Sequence, residues 1–167
     1  SEDSETSHYA ASILQDVLND FRSGVQEKYL LCQEENEQQT ENCIRLAEYM
    51  NPILEQKILT DLEQHSMAEK MKDVLETAWQ LDKGKISSTV YEEICLRLLE
   101  TKAYTACEVW CDRAMEQYPR VLSSYTCKLK LYFSCGEKKK FFRVMKELRE
   151  LDITIDNETL ELIRTFM

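Results

Sequence analysis

Glycine, proline and histidine are scarce in this chain of 167 residues, with three, two and two of each. So few turn formers leave almost nowhere to place the tight hairpins of a β-sheet protein. The isolated Gly24, Gly84 and Gly136 cannot assemble a glycine loop that cradles phosphate. His8 near the start of the chain and His65 in a polar stretch form no recognised triad or metal-binding motif. The expectation is therefore a chain without catalytic residues, cofactor or metal, and not an enzyme. No apolar run approaches the roughly 18 residues that a membrane helix needs, and no signal peptide opens the sequence. No membrane partner is expected, and an intracellular location, cytoplasmic or nuclear, follows as the expectation.

Cysteine, by contrast, is plentiful: Cys32, Cys43, Cys95, Cys107, Cys111, Cys127 and Cys135. The odd count and the apolar helical phase of most of them point to buried, reduced thiols rather than a disulfide framework. Cys107 and Cys111 lie one helical turn apart, but two ligands are too few for a structural metal, so packing is the reading taken. Glu, Leu and Lys, all good helix formers, are the commonest residues, which suits an all-α protein. Charge is unevenly placed. Residues 1–86 hold 8 Lys/Arg against 18 Asp/Glu and residues 87–167 hold 13 of each, so the first half carries the whole net charge of −10. Lys138, Lys139, Lys140, Arg143, Lys146 and Arg149 nevertheless form one local basic surface, usually a solvated helix face and alternatively a contact for phosphate or an acidic partner.

Apolar residues at helical spacing predict a long first helix from His8 through Leu30, with Ser1–Ser7 frayed, a kink at Gly24 and a loop over Gln33–Thr40. A second helix over Ile44–Met50 is expected to stop at Asn51-Pro52, a third to use Ile53, Leu54, Ile58, Leu59 and Leu62, and a fourth to run from Met67 to the Asp82-Lys83-Gly84 turn. Ser87 or Ser88 can cap the next helix, the latter with Glu92 in an approximate capping box. Further helices are expected near 89–101, 104–118, 123–135, 137–151 and 157–167, joined by short turns at Lys102, Pro119 and Gly136 that make neighbours antiparallel.

Two of these hairpins echo each other at a spacing of 34 residues. Tyr91, Ile94, Cys95, Leu98, Cys107, Cys111 and Ala114 fall on Tyr125, Lys128, Leu129, Tyr132, Phe141, Met145 and Leu148, and a third copy starts at Thr159 with Leu162, Ile163 and Phe166 in phase. Ile58, Leu62, Met71, Val74, Leu75 and Ala78 echo Ile94, Leu98, Cys107, Trp110, Cys111 and Ala114 at 36 residues. A period near 34 residues is that of helical-hairpin repeats. Tyr91–Pro119 resembles a tetratricopeptide repeat, with an aromatic opening the first helix, small residues on the second and proline at the exit. The junction Leu151–Leu162 resembles that of pentatricopeptide repeats, with an aspartate before the next helix. The resemblance spans about 110 residues, from Pro52 onward, and departs from the small-residue rule at Leu129 and Phe141 and from the core pattern at Lys128. The fold expected is antiparallel hairpins stacked as a short α-solenoid over 51–167, with N-terminal helices 1–50 packed on it. The pattern is still running at Met167, and a fragment of a larger protein is the expectation.

The tetratricopeptide resemblance implies a concave surface formed by Glu92, Leu96, Leu99 and Glu100 from one copy, Thr126, Lys130, Phe133 and Ser134 from the next, and Leu160 and Arg164 from the last. Such a surface suits a helix or peptide of another protein; the bland alternative is that N-terminal helices cover its apolar residues. The pentatricopeptide resemblance implies single-stranded RNA instead, with Asp156 and Glu161 at base-reading places, although Val121 breaks that pattern in the preceding copy. A homodimer through the long striped helix 8–31 is a third alternative.

Overall fold

The structure is a computed structural model and describes residues 2–167. It is all-helical: α1 (Glu2–Cys32), α2 (Gln39–Gln56), α3 (Asp61–Asp82) with a single 3-10 turn Lys83–Lys85, α4 (Ser88–Glu100), α5 (Tyr104–Gln117), α6 (Leu122–Cys135), α7 (Lys138–Glu150) and α8 (Asn157–Phe166). Among the described residues there is no strand and no helix long and apolar enough to cross a membrane. Sequential helices pack as pairs, α1 on α2, α2 on α3, α4 on α5, α5 on α6 and α6 on α7. The even-numbered helices also touch one another in order, α2 with α4, α4 with α6 and α6 with α8.

From α4 onward the helices end within a residue of where the apolar phase and turn signals place them. The α4–α5 and α6–α7 turns show why. At Lys102 (φ 60°) and Gly136 (φ 67°) the chain turns left-handed. Ala103 N–H then donates to Leu98 C=O at 2.9 Å and Glu137 N–H to Tyr132 C=O at 2.9 Å, closing the same C-terminal motif twice. Glycine adopts that conformation without strain, whereas the exposed Lys102 adopts it with its own N–H and that of Ala103 bonded back to Leu99 and Leu98. Ser87, not Ser88, is the cap of α4, accepting from Val90 N–H at 3.2 Å, so Glu92 closes no capping box.

The first part of the chain departs from expectation. Helix α1 already begins at Glu2 and runs unbroken through Gly24; Ser1 lies outside the described residues. That glycine is there for close approach, since a Cβ at residue 24 would lie 2.2 Å from the Tyr49 hydroxyl. Tyr49 stacks on Phe21 at 5.7 Å and receives the Lys28 ammonium over its ring. Pro52 does not end α2: the helix continues to Gln56, because Leu46, Ala47, Met50 and Leu54 form one fully buried face across it. Burial of that face outweighs the hydrogen bond that proline removes. The helix instead ends at Lys57 in the left-handed conformation, and Leu54 C=O accepts from both Lys57 N–H and Gln64 Nε2. Ile58 and Leu59 therefore lie in the turn, and Leu62 is 82% exposed on α3, so the 36-residue echo fails there. It holds on the second helix, where Met71, Val74, Leu75 and Ala78 are as buried as Cys107, Trp110, Cys111 and Ala114.

The same positions are buried in both later copies, with Lys128 as the exception. Its ammonium reaches out of the core phase to pair with Asp112. The bulky Leu129 and Phe141 are fully buried, and α8 fills the space around them: Phe141 meets Phe166 edge-on at 4.6 Å.

Candidate interaction surface

Helices α6 and α8 bring the predicted residues into one seam. Thr126 and Thr159 share a hydroxyl hydrogen bond of 3.1 Å, Lys130 pairs with Glu158 at 2.8 Å, and Phe133 meets Phe166 edge-on at 5.1 Å. Asp156 fixes the start of α8 by accepting from Thr159 N–H at 2.8 Å, and the bonds from Thr159 hold its carboxyl below the usual range. A base-reading aspartate would need that carboxylate free. Glu161 pairs with Arg164. Ser134, Leu160 and Arg164 stand exposed beside the seam.

On α4 the predicted residues are less available. Glu92, Leu96 and Leu99 are half-buried, and Glu100 is bound to Arg97 at 3.1 Å. Arg97 itself went unpredicted, although a charge between Ile94, Cys95 and Leu98 in the core phase was the visible signal. It is 4% exposed, and its Nε and Nη1 are buried without protein partners. One turn before it on the same helix, burial and the nearby Glu48 raise the carboxyl of Glu93 above its ordinary value while Arg97 opposes the shift. Glu48 and Glu55 of α2 both act on Glu93, so the α2–α4 side of this face gathers carboxylates around Arg97, whereas Lys130 and Arg164 on the α6–α8 side are paired with Glu158 and Glu161.

A pH dependence follows. A carboxyl whose folded pKa lies above its unfolded 4.5 makes its best contribution to stability when protonated, and loses it as pH rises through the folded value. Glu93→Gln is therefore expected to melt higher than the parent at neutral pH. The difference should vanish as pH falls to 4.5 and below, measured by thermal unfolding at a series of pH values.

The basic residues fall on one outward arc of α7, which turns Phe141, Val144, Met145 and Leu148 inward. Lys138, Lys139, Lys140, Arg143, Lys146 and Arg149 are all exposed, and among the described residues none of them forms an ion pair.

Six of the seven thiols are buried and Cys135 is exposed; all are free. Cys95 of α4, Cys107 and Cys111 of α5 and Cys127 of α6 converge where three helices meet, with Cys107 Sγ 4.0 Å from Cys111 Sγ and 3.4 Å from Cys95 C=O. Hydrogen bonds to Cys111, followed by burial, push Cys107 well above the ordinary thiol range, and hydrogen bonds to Cys111 and Cys127 raise Cys95. Among the described residues no three His, Cys, Asp or Glu side chains are placed to hold a metal ion. Titration of the native chain with a thiol reagent is expected to label Cys135 in a fast phase and the rest only on unfolding. Fast labelling of Cys107 or Cys95 would contradict the packing described.

No family model, curated protein or solved structure matches this chain.

Proposed function

We propose that this chain is a non-catalytic scaffold whose hairpins stack as a short α-solenoid in the manner of tetratricopeptide repeats, and that the face formed by its even-numbered helices binds a helix or peptide of another protein. The observation that supports it is the contact pattern, in which α2, α4, α6 and α8 touch in sequence while their partner helices pack behind them. An array of this kind presents a long surface built from side chains on rigid elements. Here the surface runs from the carboxylates of Glu48, Glu55 and Glu93 to exposed Leu160 and Arg164, which suits a partner carrying basic residues at one end and apolar anchors beyond them.

Single-stranded RNA is the second reading, favoured by one observation, the arc of unpaired cations on α7. Net charge of −10 weighs against nonspecific attraction to a polyanion. Capture of partners by the tagged chain from cell extract, with and without nuclease, separates the two. Partners that persist after nuclease support the protein-binding face, and partners that disappear support RNA.

A further inference from the structure

We propose that the first half of α1 is a docking ridge for a basic amphipathic helix of another protein. From Asp3 to Val17 every residue of α1 is exposed, whereas Leu18, Phe21, Val25 and Cys32 are buried against the body. Tyr9 is 69% exposed, Ile13 47%, Leu14 43% and Val17 46%. Both halves belong to one helix with one apolar arc. Leu14, Leu18, Phe21 and Val25 follow the alternating four-and-three spacing of a helix–helix seam, and Leu14 alone lacks a cover. Ala10, Ile13 and Val17 widen the arc on one side. At 1.5 Å per residue the uncovered segment extends about 22 Å, roughly four turns, and a helix of that length is marginal in water without something packed on it.

Charge decides the occupant. Asp16 and Asp20 border the ridge on its Ile13 side, Asp3 lies in phase with Leu14 at its start, and no Lys or Arg precedes Arg22. A second copy laid parallel on the ridge would set Asp3 against its own counterpart, and one laid antiparallel would bring the two acidic borders to the same side, both of which are unfavourable. The one strongly basic helix of the chain, α7, cannot fill the place in a second copy either, because its apolar residues Phe141, Val144, Met145 and Leu148 are already buried. An anionic lipid surface would be repelled in the same way. What remains is a helix of a different protein with apolar residues at seam spacing and Lys or Arg on its flanks. This ridge lies apart from the even-numbered helical face beyond α2, so the proposal stands independently of the function given above.

A labelled synthetic peptide of about five helical turns, with leucines at seam positions and lysines on both flanks, is the probe, with a glutamate-flanked version as control. The whole chain is expected to bind the lysine peptide at least about tenfold more tightly than the glutamate peptide. Leu14→Asp with Val17→Asp should remove that binding, while Leu160→Asp on α8 should leave it unchanged. Should the aspartate pair reduce helicity by circular dichroism, Asp16→Lys with Asp20→Lys keeps the apolar arc and must still weaken the lysine peptide by a similar factor. Equal binding of both peptides, or lysine-peptide binding that survives the ridge substitutions, overturns the proposal. So does a wild-type dimer in sedimentation that the ridge substitutions dissociate, since it would name a second copy as the occupant, and so does ridge-dependent binding to phosphatidylserine vesicles.

Discussion

Trp110→Ala is expected to lower the folding free energy by about 3–5 kcal/mol, the range for emptying a fully buried aromatic position. Trp110 is 1% exposed. Its ring meets Tyr91 of α4 at 5.9 Å, Tyr91 meets Tyr118 at 5.9 Å, and Tyr118 Oη donates to Ile86 C=O at 2.6 Å. One indole therefore braces α5 against α4 and, through the two tyrosines, against the turn that leads out of α3. The guanidinium of Arg113 sits 4.8 Å from the Trp110 ring and 3.8 Å from that of Trp79, and it pairs with Glu76 of α3. Removing the indole strips one wall from that cation while leaving the charge in place. Stability of a domain this size is itself only about 5–15 kcal/mol, so the midpoint should fall by about 10 °C, read by circular dichroism. Trp79→Ala is the informative comparison, because Trp79 also lies against Arg113 but is only partly buried; its loss should cost clearly less. Equal melting of parent and Trp110→Ala would mean that α4, α5 and the α3 exit do not share this core.

Where sequence reasoning succeeded, two signals agreed. The helices from α4 to α8 combine an apolar phase broken only at Lys128 with turn signals at Pro119 and at Gly136, whose φ of 67° glycine adopts freely. Where it failed, a local signal was ranked above a longer one. Pro52 was read as a terminator, yet Leu46, Ala47, Met50 and Leu54 continue one phase through it, and their complete burial outweighs the missing bond. Ending α2 at Pro52 also groups Ile53 and Leu54 with Ile58 and Leu62, whereas Ile53 and Leu54 belong to α2, Ile58 to the turn and Leu62 to α3. Gly24 misled in a different way. The close approach of Tyr49 is a tertiary fact, invisible to periodicity.

The candidate surface was legible to the same degree. Thr126, Lys130 and Phe133, expected on an open concave surface, meet Thr159, Glu158 and Phe166 of α8. The bland alternative needed cover for Phe133 from the N-terminal helices, and its neighbour is α8 instead. Arg97 and Glu93 escaped notice because burial of a charge depends on which helix lies opposite, and that helix, α2, had been ended too early.

The largest functional effect is expected from substitutions on the even-numbered face. That outcome sets the two readings of the molecule against each other. Leu160→Asp with Arg164→Glu should reduce capture of a nuclease-resistant protein partner by at least about tenfold, since a charge forced into an apolar contact without a counter-ion costs several kcal/mol. Both residues are exposed, so the helices should persist. Leu96→Asp and Phe133→Asp strike the same face but carry a second consequence: Leu96 is half-buried and Phe133 supports Phe166, so helicity must be recorded before their loss of binding is read. Reversing Lys138, Lys139 and Lys140 to glutamate should change protein capture only modestly, because exposed charges are screened and contribute roughly 0–1 kcal/mol each. Were RNA the ligand, the order would invert. The triple reversal would then abolish binding and flatten its salt dependence by about one counterion per lost phosphate contact, while the α8 substitutions would leave it intact. No ion pair within the described chain has to break when those lysines are reversed, but Lys138 and Lys140 lie over the rings of Phe142 and Tyr132, so helicity is recorded for this variant too.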